Sequence, residues 1–404
     1  MKTPICERLG CEVPIFAFTH CRDVVVEVTK AGGFGVLGAV THSPEQLERE
    51  LKWIDEHVGG RPYGVDVLIP VVYDREAEAS TEEVIDLIPA EQRQFVDKLL
   101  DAEGVPPLSA DDAAEARREL IGRGRNTTPL GARRLIDVAL RHPQVKLVVS
   151  ALGAPPKELV DELHGRGILV GSLCGKAEHA KAQRAVGVDI IVAQGTEAGG
   201  HTGQIATMVL VPQVVDVAGP DIAVLAAGGI SRGRQIAAAF ALGAQGVWTG
   251  TIWLGTRESE LTPMEKEVLF KAKSEDAVQR KWMTGKTVRM IRSKASEAWE
   301  QPGAPRHLKP PLQNILYHGA RIRIVYSATP PDLVSLNDPI ALDDVYANAA
   351  QWFVLFSFFS KDIASIKSSQ LAQMHYGLFQ QAMGIRDQKL SMAEAISNNN
   401  SRGA

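Results

Sequence analysis

The feature that most limits the fold is a regular alternation of short apolar runs with helix-like stretches. Eight runs of five to seven residues have the length and apolar content of buried strands. Strands that alternate with helices are joined by crossovers and therefore pair in parallel. The predicted strands are Val13–Phe18, Phe34–Val40, Tyr63–Ile69, Val145–Ser150, Ile168–Ser172, Asp189–Ala193, Ile222–Ala226 and Gln245–Thr249.

Eight is the strand number that closes a (β/α)8 barrel, whose usual size is about 250 residues. A doubly wound open sheet is the runner-up. It would be favoured by a Gly-x-Gly-x-x-Gly after the first strand and an acidic strand end further on, and neither occurs. We therefore predict an α/β fold, a TIM barrel, over residues 1–260.

One stretch interrupts the alternation within the barrel, and two further stretches follow the barrel. Residues 70–130 are predicted to be a helical insertion, with a helix at 91–102. Residues 261–336 form a predicted extension that packs on the barrel mouth, helical over 263–300 and then rich in proline. Residues 337–404 are a tail without an assigned role, whose last eight residues, polar and Asn-rich, are expected to be disordered.

Charge and composition exclude several classes of protein. A formal charge of −4 and a pI near 6.2 give no electrostatic footprint for nucleic acid. No run of about 18 uncharged apolar residues is present, and the first residues do not resemble a signal peptide. The four cysteines lack Cys-x-x-Cys spacing, which favours reduced thiols over a disulfide frame or a zinc site. We expect a cytoplasmic protein without a metal.

Glycine-rich loops follow the sixth, seventh and eighth predicted strands, at 195–203, 227–233 and 249–251. In a (β/α)8 barrel the last two strands commonly build a phosphate site from backbone N–H groups. Gly228, Gly229 and Gly250 would let a phosphate approach the backbone, and Thr251 could add a hydroxyl. Ordinary turn glycines are the alternative. No Walker A motif is present, which argues against a nucleoside triphosphate.

His201 lies between glycines in the first of these loops and is the one side chain there that titrates near neutral pH. A solvated turn is the alternative interpretation. Gln194 ends the sixth strand and could hydrogen-bond a ring edge or stabilise the turn.

Five further residues are weaker candidates. Asp66 points from the third strand towards the barrel mouth and, if buried, needs a partner. His20 and Cys21 follow the first strand and could line a pocket, although a packed thiol is the commoner role for cysteine. Glu197 could orient the histidine loop or face water. Lys176 could contact an anion or simply lie on the surface.

Three motifs resemble the nitronate monooxygenases, formerly called 2-nitropropane dioxygenases. They are Gln194-Gly-Thr-Glu-Ala-Gly-Gly-His-Thr-Gly, Ala226-Ala-Gly-Gly-Ile-Ser-Arg-Gly and Gly246-Val-Trp-Thr-Gly-Thr-Ile-Trp-Leu. The Pro14-Ile-Phe-Ala-Phe and Pro62-Tyr-Gly-Val-Asp-Val stretches also fit. The resemblance extends over roughly residues 4–335.

The resemblance implies an FMN-binding TIM barrel that uses no metal. It assigns the FMN phosphate to Gly228, Gly229, Gly250 and Thr251, and it makes His201 the catalytic base or the residue that orients the substrate. The remaining residues that it places near the cofactor are Ala17, Phe18, Asp66, Gln194, Gly199, Gly200 and Ala227. The implied reaction is the oxidation of an alkyl nitronate by FMN and O2 to a carbonyl compound and nitrite.

Two departures bear on the substrate. The strand-one Pro-Met common in the family is replaced by Phe16-Ala-Phe-Thr-His, and the asparagine often found on strand three is Asp66, whose charge would repel an anionic nitronate. One alternative is therefore an NAD(P)H-using, FMN-dependent reductase of an enoyl-thioester or acyl-CoA intermediate. Another is a barrel that binds a phosphorylated ligand without turnover. A small-molecule substrate is expected in the enzyme readings, no membrane or nucleic acid in any of them, and a homodimer is compatible with each.

Overall fold

The structure, a computed structural model, describes residues 2–69, 87–105, 126–309 and 312–319. All of these lie in the first of two compact units, Met1–Val325. Part of the predicted insertion, at 70–86 and 106–125, lies outside the described residues. The whole of the predicted tail at 337–404, with its last eight residues, also lies outside them.

Eight parallel strands close into a barrel, as the sequence predicts. The described residues form eleven strands in all, eight in the barrel and three in a separate sheet: β1 Ile15–Thr19, β2 Phe34–Gly38, β3 Tyr63–Val67, β4 Val145–Ser150, β5 Leu169–Cys174, β6 Ile190–Gln194, β7 Gly200–His201, β8 Ala223–Ala227, β9 Gly246–Thr249, β10 Ala277–Arg280 and β11 Val288–Ile291. The order around the barrel is β1-β2-β3-β4-β5-β6-β8-β9, and β9 pairs with β1 to complete it. The predicted (β/α)8 fold is confirmed.

Helices follow the strands where local signals place them. They are α1 Pro4–Leu9, α2 Arg22–Lys30, α3 Pro44–His57, α4 Ala90–Ala102, α5 Pro129–Ala139, α6 Lys157–Gly165, α7 Ala177–Val186, α8 Thr207–Ala218, α9 Gly233–Ala241, α10 Pro263–Lys271, α11 Lys294–Ala298 and α12 Leu312–Gly319, with 3-10 turns at Thr251–Gly255 and Ser274–Asp276. Ser43 and Gln46 form a reciprocal capping box before α3. Gly187, at φ +86°, ends α7 in the left-handed conformation that favours glycine.

Apolar side chains form two layers, one on each side of the barrel wall. Inside, Phe16, Phe34 and Trp248 pack with the aliphatic side chains of the other strands. Ile5 and Leu9 of α1 belong to this inner layer, so α1 covers the amino-terminal end of the barrel. Outside, a larger cluster fills the space between strands and helices. Because α1 covers the amino-terminal end of the barrel, the end formed by the carboxyl ends of the strands is the accessible one.

The prediction of helix over residues 263–300 is wrong in its centre. Only α10 and α11 are α-helical there, and β10 and β11 form an antiparallel hairpin between them. These strands have four residues each, and most of their side chains are only half-buried. They therefore lack the apolar alternation by which a strand is recognised, and their pairing partners decide their conformation.

Two smaller differences concern the histidine loop and the helix that follows it. Gly200 and His201, predicted as loop, form β7 and pair with β11. The sequence pattern alone places the start of the next helix at Pro212, a residue type favoured in the first helical turn, but α8 begins at Thr207 and Pro212 lies inside it. Of the described helices, none is long and apolar enough to cross a bilayer.

Candidate active site

The candidate site lies at the carboxyl ends of the barrel strands, where loops after β6, β8 and β9 meet. A side chain at Gly199 would come within 3.0 Å of Thr251 Oγ1. One at Gly229 would come within 3.1 Å of Glu197 Cβ, and one at Gly228 within 2.6 Å of Thr207 Oγ1. The three glycine-rich loops predicted from the sequence are therefore brought together.

The loop that carries His201 is held by the β10–β11 hairpin. His201 pairs with Val288, and the Thr202 N–H donates to the Thr287 carbonyl at 3.3 Å. The imidazole Nε2 of His201 lies 2.9 Å from the Thr284 hydroxyl, within hydrogen-bond distance. The hairpin therefore fixes both the backbone and the ring of this residue.

The surroundings of His201 favour its neutral form. One side of the ring is exposed, while the protein around the rest of it lowers the pKa of the imidazole below its ordinary value. The nearby positive charge of Lys286 lowers this pKa further. At neutral pH the ring is thus available as a hydrogen-bond and proton acceptor.

Glu197 anchors the same loop from below. Its Oε2 accepts hydrogen bonds from the Thr207 N–H at 2.9 Å and the Thr207 hydroxyl at 2.7 Å. Arg289 of the hairpin donates to the Glu197 carbonyl at 3.1 Å. Partial burial acts to raise the pKa of Glu197, but the Thr207 hydrogen bonds and the Arg289 charge outweigh it and lower the pKa. Of the two interpretations of Glu197, loop orientation is the one the contacts support.

The loops after β8 and β9 have the form of an anion cradle. Gly228 and Gly229 adopt φ +116° and +69°, conformations that L side chains rarely take. Within the described residues, nothing accepts a hydrogen bond from the backbone N–H of Gly229 or Thr251. A side chain at Gly250 would meet nothing closer than the Phe18 carbonyl at 3.8 Å, so space adjoins this backbone. Free donors beside open space fit a phosphate group.

Aromatic side chains form the floor of the mouth. Phe18 stacks on Trp248 with ring centroids 5.9 Å apart, and His20 meets Phe18 edge-on at 5.3 Å. The His20 Nδ1 lies 3.0 Å from the Gly38 carbonyl, to which it donates. A flat apolar floor of this kind suits a planar ring system.

Asp66 is buried at the same level of the barrel. Its exposed fraction is 5%, and within the described chain its Oδ2 has no hydrogen-bond partner. Burial raises the pKa of the carboxyl group well above its ordinary value. The partner that a buried carboxylate requires is not supplied by the residues around it.

The other candidates are placed as follows. Gln194 is half-buried at the end of β6, and Ala227 is buried at the end of β8. The side chain of Ala17 packs outside the barrel against α2, so only its backbone could reach a ligand. Cys21 is a packed thiol that donates to the Glu258 carbonyl at 2.9 Å, and burial raises its pKa to about 11. Lys176 is exposed at the start of α7.

Sequence reasoning missed the residues of the hairpin. Thr284, Lys286 and Arg289 come 83 or more positions after His201 (284 − 201 = 83), in a stretch that was predicted to be helical. No local motif marks them, because their role depends on the pairing of β11 with β7. Thr207, which anchors Glu197, was also missed, because its contact depends on how the loop after β6 folds back onto the start of α8.

A closed parallel barrel with a histidine and glycine-rich loops at its carboxyl end has the arrangement of the (β/α)8 enzymes, whose active sites lie at that end. Residues 17–315 match the model of a family described as nitronate monooxygenase. A protein of Mycobacterium tuberculosis, whose name gives a monooxygenase activity but no substrate, is 50% identical over 333 residues, which are 82% of this chain and 87% of that protein.

Two further proteins that are similar to this chain are named for the oxidation of nitronates or nitroalkanes. A Staphylococcus haemolyticus protein named as a nitronate monooxygenase is 29% identical over 78% of this chain and 85% of its own length. The solved structure of nitroalkane oxidase from Streptomyces ansochromogenes superposes with a TM-score of 0.60 at 26% identity, covering 78% of this chain and 84% of that one. The chain belongs to the nitronate monooxygenase family, and it is an oxidoreductase for which the family implies a flavin cofactor.

Proposed function

We propose that this protein is an FMN-dependent monooxygenase that oxidises alkyl nitronates with O2. The observation that carries the proposal is the placement of His201, held by the hairpin at the barrel mouth beside the glycine-lined cradle. Family membership supports a flavin. The cradle, with its free backbone donors, supports a cofactor that ends in a single phosphate.

The residues that would hold the cofactor divide into two groups. Gly228, Gly229, Gly250 and Thr251 would bind the phosphate through N–H groups and a hydroxyl. The groups that would lie along the ring are the backbone of Ala17, with Phe18, Asp66, Gln194, Gly199, Gly200 and Ala227. When bound, FMN supplies the two-electron chemistry and the reaction with O2.

His201 would hold or accept a proton at the substrate. In the tautomer with hydrogen on Nε2, the imidazole donates to the Thr284 hydroxyl and leaves the Nδ1 lone pair free. Neutral Nδ1 can remove the proton next to a nitro group, and the protonated ring can pair with the resulting nitronate. Lys286, close enough to affect the pKa of His201, adds a positive charge near an anionic substrate.

The proposed overall reaction balances without another oxidant. Two nitronate anions and one O2 give two carbonyl compounds and two nitrite ions. The protein's part is to place the substrate carbon against the cofactor and to control the proton at that carbon.

Spectroscopy tests the proposal most directly. The purified protein should be yellow and release FMN on denaturation. Under anaerobic conditions a propyl nitronate should bleach the flavin band, while NADH and NADPH should not. A colourless protein that FMN cannot reconstitute would remove the cofactor assignment. Rapid bleaching by a nicotinamide nucleotide alone would replace the monooxygenase with an NAD(P)H-dependent reductase.

A further inference from the structure

Asp66 faces the part of the barrel mouth that lies across from His201. Around the closed barrel, β2 and β3 are four and three places away from β6, which leads into the histidine loop. The ligand that His201 contacts would therefore have β2 and β3 on its opposite side. The proposed function places Asp66 along the flavin ring but assigns its carboxyl group no bond and no proton.

The side chain of Asp66 points into the barrel. It pairs in register with Gly38 of β2 and Val149 of β4, and Val149 belongs to the inner apolar layer. Register partners in parallel strands point to the same face. Gly38 contributes no side chain, and the ring of His20 occupies that space, with Cε1 2.5 Å from where a Cβ would lie. Asp66 thus stands beside His20 at the edge of the aromatic floor.

The surroundings of Asp66 provide no compensation for a negative charge. Its Oδ2 lacks a hydrogen-bond partner among the described residues, and Gly38 and Val149 carry no charge. His20 is a titratable side chain that faces this region, and burial lowers its pKa and favours the neutral ring. Burial without a partner raises the pKa of Asp66. Burial without a partner therefore favours the neutral form of this carboxyl group, which has one O–H to donate.

We propose that Asp66 is a neutral carboxylic acid that donates a hydrogen bond to an oxygen atom of the ligand bound at the barrel mouth. The acceptor is a carbonyl or nitronate-type oxygen, either on the flavin ring or on the substrate. The second source rests on the proposed function. A neutral Asp66 does not repel an anionic nitronate, and it can bind one of its oxygens. The substitution of aspartate for the asparagine often found on strand three therefore keeps a hydrogen-bond donor there.

Infrared spectroscopy of the apoprotein tests the protonation state without any ligand. The difference spectrum between wild type and Asp66→Asn at pH 7 should show loss of a protonated carboxyl C=O band. Loss of an ionised carboxylate band in its place would overturn the proposal. The result does not depend on flavin binding or on turnover, so it stands even if the protein is not a nitronate monooxygenase.

The hydrogen bond is tested with two variants whose side chains branch at Cγ as that of aspartate does. Asp66→Asn keeps a neutral donor, and Asp66→Leu has none. We expect the asparagine variant to stay within about 2-fold of wild type and the leucine variant to bind its ligand about 3- to 10-fold more weakly, the effect of one lost hydrogen bond. A weaker FMN titration of the apoprotein would identify the flavin as the acceptor. An increase confined to KM for propyl nitronate would identify the substrate. Equal FMN affinity and equal KM in both variants would contradict the proposed hydrogen bond.

Discussion

The two ends of the barrel differ in the hydrogen bonds that the protein makes to their aspartate side chains. At the amino-terminal end, Asp189 accepts hydrogen bonds from Arg8, from His164 at 2.8 Å and from the Val170 N–H at 2.9 Å. At the carboxyl end, Asp66 is buried among the residues of the inner layer, and its Oδ2 has no hydrogen-bond partner within the described residues. The carboxylate of Asp189 is therefore hydrogen-bonded by the protein, whereas one oxygen of Asp66 is not bonded by any described residue.

A second cluster at the amino-terminal end follows the same pattern. Asp55 accepts from the Tyr63 hydroxyl at 2.9 Å and lies 2.7 Å from His142 Nδ1. These contacts join α3, β3 and the segment before β4, so they tie successive barrel units together. In contrast, the N–H groups of Gly229 and Thr251 at the carboxyl end have no acceptor in the part of the chain that the structure describes. These N–H groups are therefore available to hydrogen-bond a ligand. In this fold, residues at the amino-terminal end of the barrel typically serve stability and those at the carboxyl end serve function.

Removal of the imidazole at the carboxyl end should have the largest effect. We expect His201→Asn to keep FMN and its melting temperature but to lose about 10²- to 10⁴-fold in kcat, because a general base is removed. Steady-state oxygen consumption with nitropropane, the neutral nitroalkane that still carries the proton to be removed, measures the loss. His57→Asn, at an exposed histidine of α3, is the matched control and should be unaffected. Unchanged turnover in the His201 variant would show that this residue is not catalytic and would favour the alternative interpretation of a solvated side chain.

Removal of a charge at the amino-terminal end should do the reverse. Asp189→Asn weakens three hydrogen bonds, two of them to ionisable partners, and should lower the free energy of unfolding by about 2–3 kcal/mol. The kcat and KM of the folded variant should stay near the wild-type values. Urea denaturation provides the measurement, and Asp161→Asn, in an exposed pair with Lys157, provides the control with a much smaller change. A loss of activity without a loss of stability would contradict the comparison.

The smallest effect is expected from Lys286. If neutral His201 is the active form, the rate falls as pH drops through the lowered pKa of the imidazole, because the protonated ring cannot accept a proton. Lys286→Met removes a positive charge that favours the neutral ring, so the acid limb of the kcat/KM profile should move to higher pH. Lys281→Met, at an exposed lysine of the segment between β10 and β11, should leave it in place. A rate that rises as pH drops through this pKa would show that His201 acts in its charged form.

The sequence by itself determined the barrel and most of its site loops. Apolar runs such as Ile190–Gln194 are buried on both faces and carry their own signal, and Gly228 and Gly229 mark a turn that few other residues can adopt. Helix starts such as Ser43 are determined by contacts within four residues. These features are local, so a single chain read in order reveals them.

Only the tertiary structure decided what surrounds His201 and Asp66. The strands β10 and β11 have no apolar periodicity of their own. Their conformation depends on pairing with each other and with β7. The neutral state of Asp66 depends on Gly38, Val149 and His20, which the barrel brings together from β2, β4 and the end of β1. Burial and pairing between distant segments set these properties, and neither can be inferred from the residues on either side.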